Sequence, residues 1–206
     1  MKKILLLCLP FLIAVLAGCS SSKLTTSWVS PQAQNEGKHF NKVLVLGLLS
    51  NRNRAAKVNM ETFLANDLKT IGVSAVTSTD LYGPMAFRNM SEKEAIRSLK
   101  GNDIDGIITI TLIDKNSSRQ FVPGYWGAYP FWGYYNFYGP YMWGGGGYYE
   151  RTTSYYFETN LYDVENHGKL LYSAQSETVD PSSPEKLGND FAKTIVNDLK
   201  YKNLIR

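Results

Sequence analysis

Residues 121–149, FVPGYWGAYPFWGYYNFYGPYMWGGGGYY, carry about half of the chain's aromatic residues and no charged side chain. A transmembrane helix needs about 20 consecutive, mostly apolar residues of helix-compatible type. This segment is long enough but is broken by Pro123, Pro130, Pro140 and repeated glycines, ending in Gly144-Gly145-Gly146-Gly147. Tyrosine dominates it, and a buried tyrosine hydroxyl needs a partner. Neither a period of two nor one of 3.6 persists across it. The stretch therefore reads as a long loop inserted into an ordinary domain. Loops beyond about 12–15 residues are usually functional or disordered, and disordered segments are typically poor in aromatics. Three uses follow: to cover the domain's own sheet, to offer a contact surface, or to associate with itself. The candidate binding residues are Tyr125, Trp126, Tyr129, Trp132, Tyr134, Tyr135, Tyr138 and Trp143.

The first residues fix the compartment. Lys2 and Lys3 form a positive start, and residues 4–15 an apolar run too short to span a membrane, with Pro10 inside it. Leu16-Ala17-Gly18-Cys19 follows and resembles the lipobox of bacterial lipoproteins. That resemblance implies a signal peptide over residues 1–18, cleavage between Gly18 and Cys19, and lipid on Cys19. Several acyl chains on one residue anchor stably where one does not. Ser20 stands where aspartate would favour the inner membrane, so the sorting rule implies the periplasmic face of an outer membrane. Residues 19–38 are rich in Ser, Thr, Gln and Asn and read as a lipidated flexible tether.

Cysteine use agrees with this. Cys8 leaves with the signal and Cys19 carries lipid, so the mature chain has no thiol for a disulfide or a metal. Loss of Lys2 and Lys3 lowers the net charge from +4 to +2, too little to argue for nucleic acid.

Residues 39–206 read as a single α/β domain. The run KVLVLGLL at residues 42–49 fits a strand buried on both faces. Met60, Phe63, Leu64, Leu68 and Ile71 recur at helical spacing, and Gly72 ends that helix. Residues 73–77 predict a second strand and residues 80–89 a loop. Ser91 and Glu94 form a capping box before a short helix. Residues 105–113 predict a third strand, and the aromatic insertion begins after residues 114–120. After the insertion, alternation over residues 151–163 and 169–178 around Asn166-His167-Gly168 predicts a β-hairpin. Ser182 and Glu185 read as a second capping box, and Leu187, Phe191, Ile195 and Leu199 mark the core face of a last helix. Leu204 and Ile205 are placed to dock at the end. The order is β-α-β-α-β, then a hairpin, then α. It requires crossover helices and so a mixed sheet with parallel pairs.

Several short stretches resemble a group of small bacterial lipoproteins. They are Ser-Trp-x-x-Pro at residues 27–31, KVLVLGL at 42–48, GVxAVxS at 72–78, DGII at 105–108, ETNLYD at 158–163 and KLLYS at 169–173. More remotely, the topology is similar to domains of the curli-secretion lipoprotein, the amino-terminal domain of TolB, and the lipoprotein that activates a penicillin-binding protein. Those are binding or assembly modules rather than enzymes. The membrane-spanning hairpins of the curli pore have no match here, so its pore activity is not implied.

Catalytic patterns are missing from the sequence. It has no phosphate loop and no dinucleotide fingerprint. Arg52 and Arg54 precede a helix and can meet an anion there, but an ordinary solvated turn is the preferred account. His39 and His167 are the only histidines and do not form a zinc pattern. Asp103 with Asp105, and Glu158 with Asp163, read as loop and strand-edge charges. No cofactor and no enzymatic activity are expected. The leading expectation is an envelope lipoprotein that docks a protein partner through the aromatic segment. The alternatives are self-association into a homo-oligomer, contact with the membrane, and glycan stacking on Tyr125, Trp126, Trp132 and Tyr134.

Overall fold

The computed structural model describes residues 21–36, 38–87, 90–122 and 148–205. Strand β1 (Ser22–Val29) and helix α1 (Pro31–Glu36) open the chain. Strand β2 (Val43–Leu48), a 3-10 turn (Asn51–Asn53), α2 (Arg54–Thr70), β3 (Ala75–Thr77), α3 (Ser78–Tyr82) and α4 (Glu92–Gly101) follow. Then come β4 (Gly106–Val122), β5 (Tyr148–Asp163), β6 (Lys169–Val179) and α5 (Pro184–Tyr201). The six strands form one mixed sheet in the order β1-β6-β5-β4-β2-β3. Strand β2 is parallel to both β3 and β4, and the other neighbours are antiparallel. The expected α/β class and its parallel pairs are present.

The apolar run of β2 serves two faces. Val43 and Val45 point into the main core, and Leu44 into a second cluster with Leu99 and Ile104. The main core lies between the sheet and helices α2 and α5. It packs Met60, Leu64 and Leu68 and the predicted Leu187, Phe191, Ile195 and Leu199 against Ile108, Ile110, Phe157 and Leu161. Phe157 meets Phe191 edge to face at 5.6 Å, a favoured aromatic geometry. Leu204 and Ile205 are buried as expected, and Ile205 pairs with Lys38.

Gly188 sets how closely α2 and α5 cross. A Cβ there would stand 2.9 Å from the carbonyl of Asn59 on α2. Backbone cannot yield as a side chain does, so Gly188→Val will lower stability by about 1–3 kcal/mol. The expected reading is a lower urea midpoint at unchanged slope.

Four expectations need correction. Within the segment read as a tether, residues 22–29 form an edge strand and 31–36 a helix. Its Thr, Trp and Val residues suit a pleated, half-buried surface, and its partner β6 lies far away in sequence. Part of the loop read over 80–89 is helix α3, started by Thr77, whose hydroxyl accepts from the amide of Asp80. The third strand, expected to end at 113, runs on to Val122 as β4. The last helix is capped by Ser183 rather than Ser182: the Ser183 side chain accepts from the Lys186 amide, with Pro184 in the first turn. The Ser91–Glu94 capping box is present in both directions.

Candidate functional site

Strands β4 and β5 are the longest in the sheet, and they outrun their neighbours. Strand β2 follows β4 only to Thr111, and β6 follows β5 only back to Ser154. The β4–β5 ladder continues from Ser117↔Thr153 to Val122↔Tyr148 as a two-stranded ribbon. At about 3.3 Å per residue this part of the ribbon is about 20 Å long. Residues 121, 122, 148 and 149 of the aromatic segment thus belong to the ladder, and the segment begins and ends at one paired position. A bulge between Leu112 and Asp114 lies near the point where the ribbon leaves the sheet. Bulges bend a strand and increase its twist, which re-aims whatever it carries. The side chains of residues 113–119 are exposed, and Lys115 Nζ sits 4.9 Å from the Tyr155 ring centre.

The ribbon leaves the end of the sheet at which the chain enters. Ser22 pairs with Thr178, the Val179 amide donates to the Ser21 carbonyl at 2.9 Å, Val179 pairs with Ser154, and Ser154 with Asn116. One row across the sheet therefore joins Ser21 to the base of the ribbon. Ser21 is held there by Asp190 of α5. The Asp190 carboxylate accepts from the Ser21 amide at 2.9 Å, the Ser21 hydroxyl at 2.8 Å and Lys186 Nζ at 2.7 Å. Asp190 is only 2% exposed. Burial pushes its carboxyl up, but the bonds from Lys186 and Ser21 outweigh that and hold it below the usual aspartate value.

On the sheet face away from α2 and α5, partly exposed polar residues of β4, β5 and β6 line up. Tyr156 donates to Glu177 at 3.0 Å, and Lys23 pairs with Glu177 at 2.9 Å. The Lys23 bond is the largest cause holding the Glu177 carboxyl below its ordinary value.

A cleft of about 290 Å³ opens beyond the carboxyl end of β2, lined in part by Ser50, Arg54, Lys57, Thr79 and Met85. Sheets of this kind often bind ligands at that end. Below it, Glu61 is fully buried and crowded with donors. It accepts from the Gly47 amide at 2.7 Å, the Ser78 hydroxyl at 2.7 Å, and the Thr79 amide and hydroxyl at 3.0 and 2.7 Å. Lys57 Nζ lies 3.8 Å from it and donates to the Pro84 carbonyl at 3.3 Å. Gly47 permits the approach, since a Cβ there would stand 2.8 Å from the Lys57 side chain. These contacts satisfy Glu61 as a strut between α2, β2 and α3.

Of the residues named from sequence, Gly18, Cys19, Tyr125, Trp126, Tyr129, Trp132, Tyr134, Tyr135, Tyr138 and Trp143 lie outside the described residues. Arg54 lines the cleft, Arg52 is exposed in the turn before it, and His39 and His167 are exposed and far apart in the chain. Asp105 fastens the start of β2 by accepting from the amides of Asn41 and Lys42, and Asp163 pairs with Lys38. Among the described residues, no three of His, Cys, Asp and Glu converge as metal ligands, and no helix is long and apolar enough to cross a membrane. Sequence reading missed Ser21, Glu61 and Asp190, whose partners come from distant parts of the chain.

No family model and no curated protein matches the chain. The solved structures similar to it include a lipoprotein and an oligomeric protein. The lipoprotein is GNA1162 from Neisseria meningitidis, 16% identical, with a TM-score of 0.41 over 78% of this chain and 98% of that one. The oligomer is the PelC dodecamer from Paraburkholderia phytofirmans, 11% identical, with a TM-score of 0.48 over 90% of this chain and 99% of that one. A point variant of the same dodecamer gives 11% and 0.44 over 84% and 94%.

Proposed function

We propose that the protein is a periplasmic lipoprotein anchored through Cys19, and that it acts without catalysis as a protein-docking or envelope-assembly module. The ribbon supports this reading most directly. A paired ladder runs to Val122↔Tyr148 and so presents both ends of an uncharged aromatic segment at one place away from the core. Tyrosine and tryptophan concentrate at the centres of protein interfaces, where charged residues are depleted. A scaffold that fixes a binding loop at its roots lowers the ordering cost of docking. The Ser20 sorting signal supports the outer membrane, periplasmic face, as its location.

In-cell photo-crosslinking from a probe at Tyr134 tests the docking role. The expected result is a discrete adduct with a second envelope protein, lost when Trp132 and Tyr135 are changed to serine. An adduct pattern indifferent to those changes would defeat the docking role.

A further inference from the structure

We infer that the ribbon is an arm that binds anionic phospholipid, with Arg119 and Arg151 holding a headgroup phosphate between them. The inference rests on the reading of Cys19 as the lipid anchor. Arg119 and Arg151 are directly opposite in the ladder, and both are exposed. Opposed residues of an antiparallel pair share a face, with Cβ atoms about 4.5–5.5 Å apart, and like charges placed so destabilise the pair. Neither arginine has an ion-pair or hydrogen-bond partner among the described residues. Two adjacent guanidinium forks match a phosphate, whose oxygens accept from both. An anion there turns a repulsive pair into a bridged one.

The position of the pair selects the phosphate. Ser21 is locked to Asp190 and Val179, so the domain begins two residues after Cys19. Two residues span at most about 7 Å. The ribbon leaves the same end of the sheet and runs on for about 20 Å. Strand β5, which carries Arg151, is separated from β1 by β6 alone, so the two are about 10 Å apart. A projection longer than the gap at the anchor can reach the leaflet that holds the anchor. Lys115, Arg119 and Arg151 are the exposed cations along it. Of the nearby acids, Asp114 accepts from the Lys115 amide and Asp180 from the Thr153 amide, while Glu150 stands at the register position opposite Gln120. Basic residues held at the surface of an anionic leaflet are attracted to it, and the attraction fades within a Debye length.

The test uses the full lipidated protein in vesicles, with an environment-sensitive dye on Ser117→Cys, which shares the arginine face of the ribbon. Vesicles contain phosphatidylglycerol with phosphatidylethanolamine, or phosphatidylcholine alone, each with a headgroup quencher. The expected result is quenching on phosphatidylglycerol vesicles that is about tenfold weaker in Arg119→Glu/Arg151→Glu. The single variant Arg119→Glu replaces a repulsive cross-strand pair with an attractive one, so it will keep or raise the melting temperature while losing quenching. That result separates binding from folding. Co-flotation without quenching, or quenching unchanged in the double variant or equal on phosphatidylcholine, would overturn the proposal alone. Failure to co-float would overturn the Cys19 anchor and the proposal with it.

Discussion

Glu61→Ala will destabilise the domain by about 3–5 kcal/mol, the range for removing one partner of a buried charged pair. The carboxylate is fully buried and gathers four hydrogen bonds from Gly47, Ser78 and Thr79. Alanine strands the Gly47 and Thr79 amides and leaves Lys57, whose side chain is 11% exposed, without its counter-charge. Each stranded buried donor costs about 1–3 kcal/mol, so the loss is a large share of a typical domain's 5–15 kcal/mol. At this chain length the melting temperature will fall by about 6–20 °C. Glu61→Gln separates charge from shape. An amide offers one acceptor oxygen and turns two donors toward donors, so it should recover only part of the loss. Thermal unfolding of both variants decides the matter, and wild-type stability in Glu61→Ala would contradict the strut.

Asp190→Ala will cost about 2–4 kcal/mol, since hydrogen bonds to a charged group contribute about 1.5–3 kcal/mol each and are not additive. The Ser21 groups and the half-exposed Lys186 recover some water on mutation, which keeps the loss below that at Glu61. The change is local: amide exchange over β1 will rise first, ahead of the α2–α5 core. The same contact predicts an acid response. Asp190 has its folded pKa held below the ordinary value, so its contribution is complete above that value. It is lost as the pH falls through the lowered folded pKa, that is, below about pH 4. Asp190→Asn lacks that titrating group, so its β1 exchange should keep only the acid response of the Lys23–Glu177 pair. An identical acid profile in wild type and Asp190→Asn would exclude Asp190 as the sensor.

The helical core faces were legible because their signal is local. Met60, Leu64 and Leu68, and Leu187 through Leu199, repeat at the spacing of one helix side, and the KVLVLGLL run marks a strand covered twice. The features missed depend on distance. Strand β1 reads as a polar linker until β6 pairs with it, across a separation of 156 residues at Ser22 and Thr178. The ribbon residues DKNSSRQ have no apolar alternation because residues 114–119 are all exposed. Glu61 and Asp190 sit beside core positions and look like ordinary helix charges until their distant donors arrive. One miss was avoidable: Pro184 suits the first helical position, which makes Ser183 the cap. The aromatic segment announced itself by composition, and the structure adds the ladder at its roots.

The junction of β1 with β6 and α5 also sets an order of events. Ser21 and β1 find no strand partner until residues 169–179 exist, and the side-chain bonds from Asp190 and Thr194 come later still. Closure over such a separation is slow relative to local helix formation. A chain made amino-terminus first therefore keeps residues 22–29 unpaired until residues 169–179 have emerged. Under the proposed anchoring at Cys19, processing of that terminus therefore precedes the seating of the fold.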